Sequence, residues 1–229
     1  MSPKDWLELA GGVLALATFV FALVQYRREQ QWRRVEFLVD AVKEFEESWG
    51  VKNIMQILDG EDLEMELRPD AADPAKRKLV VTDDFFVAAL PQYGDNYEIE
   101  GDRATEKIAI RESLDDFLTR LDRFNSHIET GLIPMKAVDV YIGYWIRALA
   151  GHGTVEKPQE LIQRMWMYAD MCDYKGTQRL CARYGFSIKP KSAPEKTRLG
   201  VNSSPRQRPI PGSPDDKRDS CRAWASPLL

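Results

Sequence analysis

Residues 7–24 read LELAGGVLALATFVFALV, and the ten that follow carry Arg27, Arg28, Arg33 and Arg34. From Leu9 to Val24 the only polar side chain is Thr18, whose hydroxyl can bond a carbonyl one turn back. Extended to Trp6 and Tyr26, the run reaches about twenty residues, the span of a hydrocarbon core ~30 Å thick. No proline interrupts it, so each backbone group can be bonded within one helix. Trp6, Tyr26 and Trp32 suit an interfacial aromatic belt. The pattern predicts a transmembrane helix over residues 6–26.

Charge sets its direction. Before the run, in residues 1–5, lie only Lys4, Asp5 and the amino terminus, and after it lie four arginines. The positive-inside rule predicts a single-pass protein of the plasma (inner) membrane, its N-terminus outside and its C-terminal bulk in the cytoplasm. Arg27, Arg28, Arg33 and Arg34 are expected at anionic lipid headgroups, each contributing ~1 kcal/mol near the surface.

Three other readings compete. A cleaved signal peptide places its cations before the apolar run and a small-residue cleavage site after it, and here both flanks differ. A buried core helix is usually shorter and has a polar face. An interfacial helix needs a charged face, which Leu9 to Val24 lacks. Gly11, Ala15, Thr18 and Ala22 share one helical face, where two backbones can approach closely, and they predict self-association. Gly and Ala are also simply common in membrane helices.

Residues 27–50 continue as a helical stem, broken at Gly50. Val35, Leu38, Val42, Phe45 and Trp49 recur at three, four, three, four. Two heptads are too few for a coiled coil, so the stripe is expected to dock on its own domain. At 100° per residue it lies nearly opposite the Gly11/Ala22 face.

Residues 51–186 are long enough for one core. Residues 35–186 hold 29 acidic and 18 basic side chains, a bias that the overall −4 hides. An acidic body argues against nucleic acid as the main partner, since phosphate needs a positive footprint. Val51 to Leu58 reads as a short helix ending at Asp59-Gly60. Leu63, Met65 and Leu67 alternate with glutamates, and Lys78 to Val81 can pair with them in a small hairpin across the Pro69 to Pro74 loop. Thr82 or Asp83 would cap a helix over Asp84 to Leu90.

The longest helical pattern runs from Thr105 to Thr130, with Ile110, Leu114, Phe117, Leu118, Leu121, Phe124 and Ile128 on one face. Gly131 stands where a C-terminal cap belongs. Met135 to Leu149 follows, and the short GLIP connection predicts that these two helices are antiparallel neighbours. Pro158 to Asp173 and Thr177 to Tyr184 complete a mainly α bundle. Residues 187–229 are basic, with nine cations against four anions, and rich in Pro and Ser. They are expected to be a disordered tail.

Chemistry is sparse. His127 lies toward the boundary face of the long helix, and His152 sits between two glycines with no recognisable nucleophile or orienting acid. Cys172, Cys181 and Cys221 have no C-x-x-C spacing, so no metal or redox site is expected, and a cytoplasmic location keeps thiols reduced. Asp115 and Asp116 read as a solvated helix face, and Asp83 and Asp84 as carboxylates favoured by a helix N-terminus. Asp170 and Asp173 form a further acidic pair. No phosphate loop or nucleophile elbow is present. Tyr144, Arg147 and His152 form a candidate binding edge, although core burial competes for the aromatics around Trp145.

The segments YRREQQWRRVEFLVDAVKEF, VKNIMQILD, IRESLDDFLTRLDRFNSHIETGLI and VYIGYWIRAL resemble a bacterial family of small proteins with one N-terminal span and a helical cytoplasmic domain. The resemblance covers about residues 4–150 and implies no activity, cofactor or residue role. The expected function is a membrane-anchored, non-enzymatic interaction or regulatory protein that needs no cofactor. Its expected partners are the lipid bilayer, an unidentified cytoplasmic protein and further copies of itself. The alternative is an oligomerising, membrane-disrupting effector with a cytoplasmic sensing domain.

Overall fold

The structure is a computed structural model that describes residues 3–60, 63–66, 78–92 and 103–190. Side chains are described for residues 11–12, 14–60, 78–92 and 103–190. The expected tail lies outside these residues, apart from its first four positions.

Helix α1 runs from Pro3 to Glu47 without a break. Its apolar first half contains no proline beyond Pro3, which sits in the first turn, where the missing N–H costs nothing. Ser48 separates it from α2 (Trp49–Asp59). The hairpin forms as read: β1 (Leu63–Glu66) pairs antiparallel with β2 (Lys78–Val81), Leu63 opposite Val81. Then come α3 (Asp83–Ala89), α4 (Ala104–Glu129), α5 (Met135–Leu149), α6 (Gln159–Met171) and α7 (Lys175–Arg183). The Thr82 hydroxyl accepts from Phe85 N at 3.1 Å and caps α3.

The core is built around α4. Ile110, Leu114, Phe117, Leu118 and Leu121 are fully buried, as their spacing predicts. Helices α2, α3 and α7 cover α4, and α3 also meets α6. Helix α4 ends at Gly131, whose φ of +69° lets Leu132 N return to His127 O at 3.0 Å. In the stem, Leu38, Val42 and Phe45 enter the core, while Val35 and Trp49 stay outside. The Phe45 ring meets Phe117 and Phe124 at 5.9 and 5.7 Å, and burying a phenylalanine contributes about 2–3 kcal/mol. The body reaches slightly past residue 186, since Ile188 is buried too.

Three expectations need correction. Gly50 is not the helix break: it lies inside α2, and a Cβ there would stand 3.2 Å from Ser113 Cα of α4. Its lack of a side chain serves close approach. Helices α4 and α5 are not each other's main neighbours, because α5 packs on α1, α2 and α7. A short loop fixes proximity of ends, not of flanks. Finally, among the described residues no helix is long and apolar enough to cross a membrane. The mainly helical class holds, and the span itself lacks support from the fold.

Candidate functional site

The feature with no role in the core is the upper half of α1. Of its described side chains, Leu14, Leu16, Phe19, Val20, Phe21, Leu23, Val24 and Tyr26 are all exposed. They lie on every side of the helix, and none is buried against another described element. Thr18 donates to Leu14 O at 2.8 Å, so the one polar group in the run is satisfied locally. Gly11, Ala15, Thr18 and Ala22 are exposed, and a Cβ on Gly11 would meet nothing within 4 Å.

Contact with the body begins at Gln30, the first described α1 residue that is not exposed. The turn after α4 stands beside it. Gln30, Arg33, Arg34, Phe37, Thr130, Gly131 and Leu132 line a cleft of about 600 Å³. Arg27 and Arg28 are exposed above it. Arg33 pairs with Glu29 at 2.6 Å, and Arg34 has no carboxylate partner among the described residues.

Below the cleft, polar groups lock α1 to α4. Arg120 donates to the Glu44 carboxylate and the Glu44 carbonyl, both at 3.0 Å, and to Asp116 at 2.8 Å. Asp116 also accepts from Ser48 Oγ. Arg123 reaches Glu44 at 3.1 Å. The His127 ring meets Phe37 edge-on at 4.9 Å. Burial, and then the Arg123 charge, lower its pKa below the usual histidine value, and Glu44 acts in the opposite direction.

The candidate edge of Tyr144, Arg147 and His152 does not converge. The Tyr144 hydroxyl bonds Asp59, at the end of α2, and Thr154. Arg147 turns along its own helix to Asp139 at 3.4 Å. His152 stacks on Phe186 at 4.9 Å. Each side chain ties a different part of the body together.

The Asp115/Asp116 pair is likewise not a solvated face. Both are half-buried, and Asp115 accepts from the Tyr174 hydroxyl at 2.8 Å. Burial, with Asp115 beside it, pushes the Tyr174 pKa far up. Asp83 does sit in the first turn of α3, and it also holds Lys157 at 3.0 Å. The Lys157 ammonium is almost fully buried and donates as well to Gly60 O, so it joins α2, α3 and the α5–α6 connection. Asp170 accepts from Gln178 at 3.4 Å, and Asp173 pairs with Lys175 at 2.7 Å. Cys172 and Cys181 are both buried, and burial pushes the Cys181 thiol up to about 12.

Sequence reading missed the Lys157 junction and the Glu44–Arg120 lock. Their partners lie far apart in the chain, and no local pattern marks them. The comparisons add nothing: no family model, no curated protein and no solved structure matches the chain.

Proposed function

We propose that the protein is anchored in a membrane by α1 and presents its helical body at the cytoplasmic surface as a non-enzymatic interaction or regulatory module. The observation that carries this is the state of α1 between Leu14 and Tyr26. Large apolar side chains are exposed all round an unbroken helix, where water would penalise them by roughly 25 cal/mol per Å². A bilayer removes that penalty, and the Leu7 to Ala10 turn completes the required length. The four arginines just beyond Tyr26 favour the orientation that places the body inside.

A non-enzymatic role is favoured because the polar clusters of the body are spent on ties between helices. Self-association belongs to the same reading. Gly11, Ala15, Thr18 and Ala22 face away from the side of α1 that carries Leu38, Val42 and Phe45. Two copies can therefore meet through the small residues with their bodies pointing outward.

The test is fractionation of full-length protein and of a chain lacking residues 1–26. The full chain is expected in membranes, resistant to carbonate, with its body cleaved only when protease enters from the cytoplasmic side. Full-length protein in the soluble fraction without detergent overturns the proposal. Gly11→Ile with Ala15→Ile should weaken association in a bilayer assay; unchanged association removes that part. Growth arrest on expression that depends on residues 1–26 would instead favour the effector reading.

A further inference from the structure

We infer that the cleft between α1 and the α4–α5 turn is a discrete binding site for the phosphate-bearing headgroup of an anionic phospholipid. The inference rests on the membrane reading above and goes beyond a general attraction between arginines and the leaflet.

Position comes first. Gln30, Arg33 and Arg34 lie four to eight residues past Tyr26 on an unbroken helix. At 1.5 Å per residue, that places the cleft ~6–12 Å below the end of the apolar run. Headgroups occupy roughly 5–8 Å on each side of the hydrocarbon core, and long helical side chains lean toward the helix N-terminus, so the Arg34 guanidinium can reach back to that layer from its deeper Cα. The body first touches α1 at this level, through Thr130, Gly131 and Leu132. The α4–α5 turn is thus the part of the body that reaches the headgroup layer.

Chemistry selects the occupant. Arg33 is engaged by Glu29, so Arg34 is the cation left to meet an anion, with the Gln30 amide one turn away. A guanidinium matches phosphate by paired N–H donors. Phe37 and Leu132 supply apolar walls, and Leu132 is 37% exposed at the lip. A free inorganic anion has no use for these walls, whereas a headgroup with its glycerol and first acyl carbons does. The volume, about 600 Å³, falls within the usual range for small-molecule sites. The body's surplus of carboxylates, 29 against 18 cations over residues 35–186, disfavours anions on the body at large and adds to the value of a site that supplies its own guanidinium.

The experiment uses full-length protein in neutral detergent, titrated with phosphatidylglycerol, phosphatidylcholine or inorganic phosphate and read by native mass spectrometry. Wild-type protein should retain one phosphatidylglycerol at least tenfold more strongly than phosphatidylcholine. Arg34→Gln should abolish most of that preference, and Leu132→Ser should weaken it several-fold. Lys136→Gln removes the same charge from an exposed position outside the cleft and should leave the preference nearly intact. Equal losses in Lys136→Gln and Arg34→Gln would show a diffuse charge effect and overturn the site. So would saturation by phosphate alone, or equal retention of both lipids. Carbonate extraction of the source membranes, before detergent is added, separates two failures. Release into the soluble fraction removes the span together with the site, whereas embedded protein that treats both lipids alike removes the site only.

Discussion

Arg120 on α4 holds Glu44 on α1 twice, once through the carboxylate and once through the backbone carbonyl, each at 3.0 Å. The Arg120 side chain is only 19% exposed, while that of Glu44 is 60% exposed. The two partners should therefore respond unequally. Arg120→Ala leaves a backbone carbonyl and Asp116 without their shared donor and should cost about 1.5–3 kcal/mol. Glu44→Gln keeps a polar acceptor in a solvated place and should cost under about 1 kcal/mol. Urea unfolding of the detergent-solubilised chain measures both, and equal losses would contradict this asymmetry.

Gly50 and Gly11 should differ in the same way. Alanine favours a helix over glycine by about 1 kcal/mol. At Gly50 the new methyl would press on Asp116 at 3.0 Å and on the Ser113 backbone. Overpacking of this kind costs about 1–3 kcal/mol, so Gly50→Ala should be destabilising overall. Gly11→Ala meets nothing and should leave the unfolding midpoint of the body unchanged.

Asp173 ends α6 with φ at +59°, in the position that Gly131 fills after α4. Its carboxylate pairs with Lys175 at 2.7 Å, a half-exposed contact of small value. Relief of the left-handed backbone should outweigh that loss, so Asp173→Gly should stabilise by about 0.5 kcal/mol. A lower melting temperature for the variant would contradict this.

His127 gives the fold a pH dependence. Its pKa is lowered in the folded chain, so the unfolded chain takes up the proton first as pH falls. Stability is therefore fully present above about pH 6.5 and is lost as pH drops from there through the lower folded value. The urea midpoint should fall between pH 7.5 and 5.5, and His127→Gln should flatten that slope. A slope unchanged in the variant would assign it to other groups.

The helices and the hairpin were legible because 3.6- and 2-residue periods are local properties of the chain. Leu38, Val42 and Phe45 were readable as a docking stripe, and Ile110 to Phe124 as the central helix, for that reason. Boundaries came within a few residues where caps are chemical, as at Thr82 and Gly131. Side-chain ties were not legible. Ser48 and Asp116 are 68 positions apart, Lys157 and Asp83 are 74, and Tyr144 and Asp59 are 85. Periodicity says which face is buried but not which helix covers it. Gly50 misled for the same reason, since a glycine needed for close approach looks in sequence like a breaker. The cleft beside Gln30 was half visible: its arginines stood out, but the Thr130–Leu132 wall arrives from a hundred residues away.

Because α1 passes into the core with no joint before Ser48, the protein lacks a swivel between its greasy end and its cargo. The rod is about 68 Å long at 1.5 Å per residue. Any twist or tilt imposed at one end arrives at the other as the same twist or tilt, so the body's heading is dictated by how the shaft is seated.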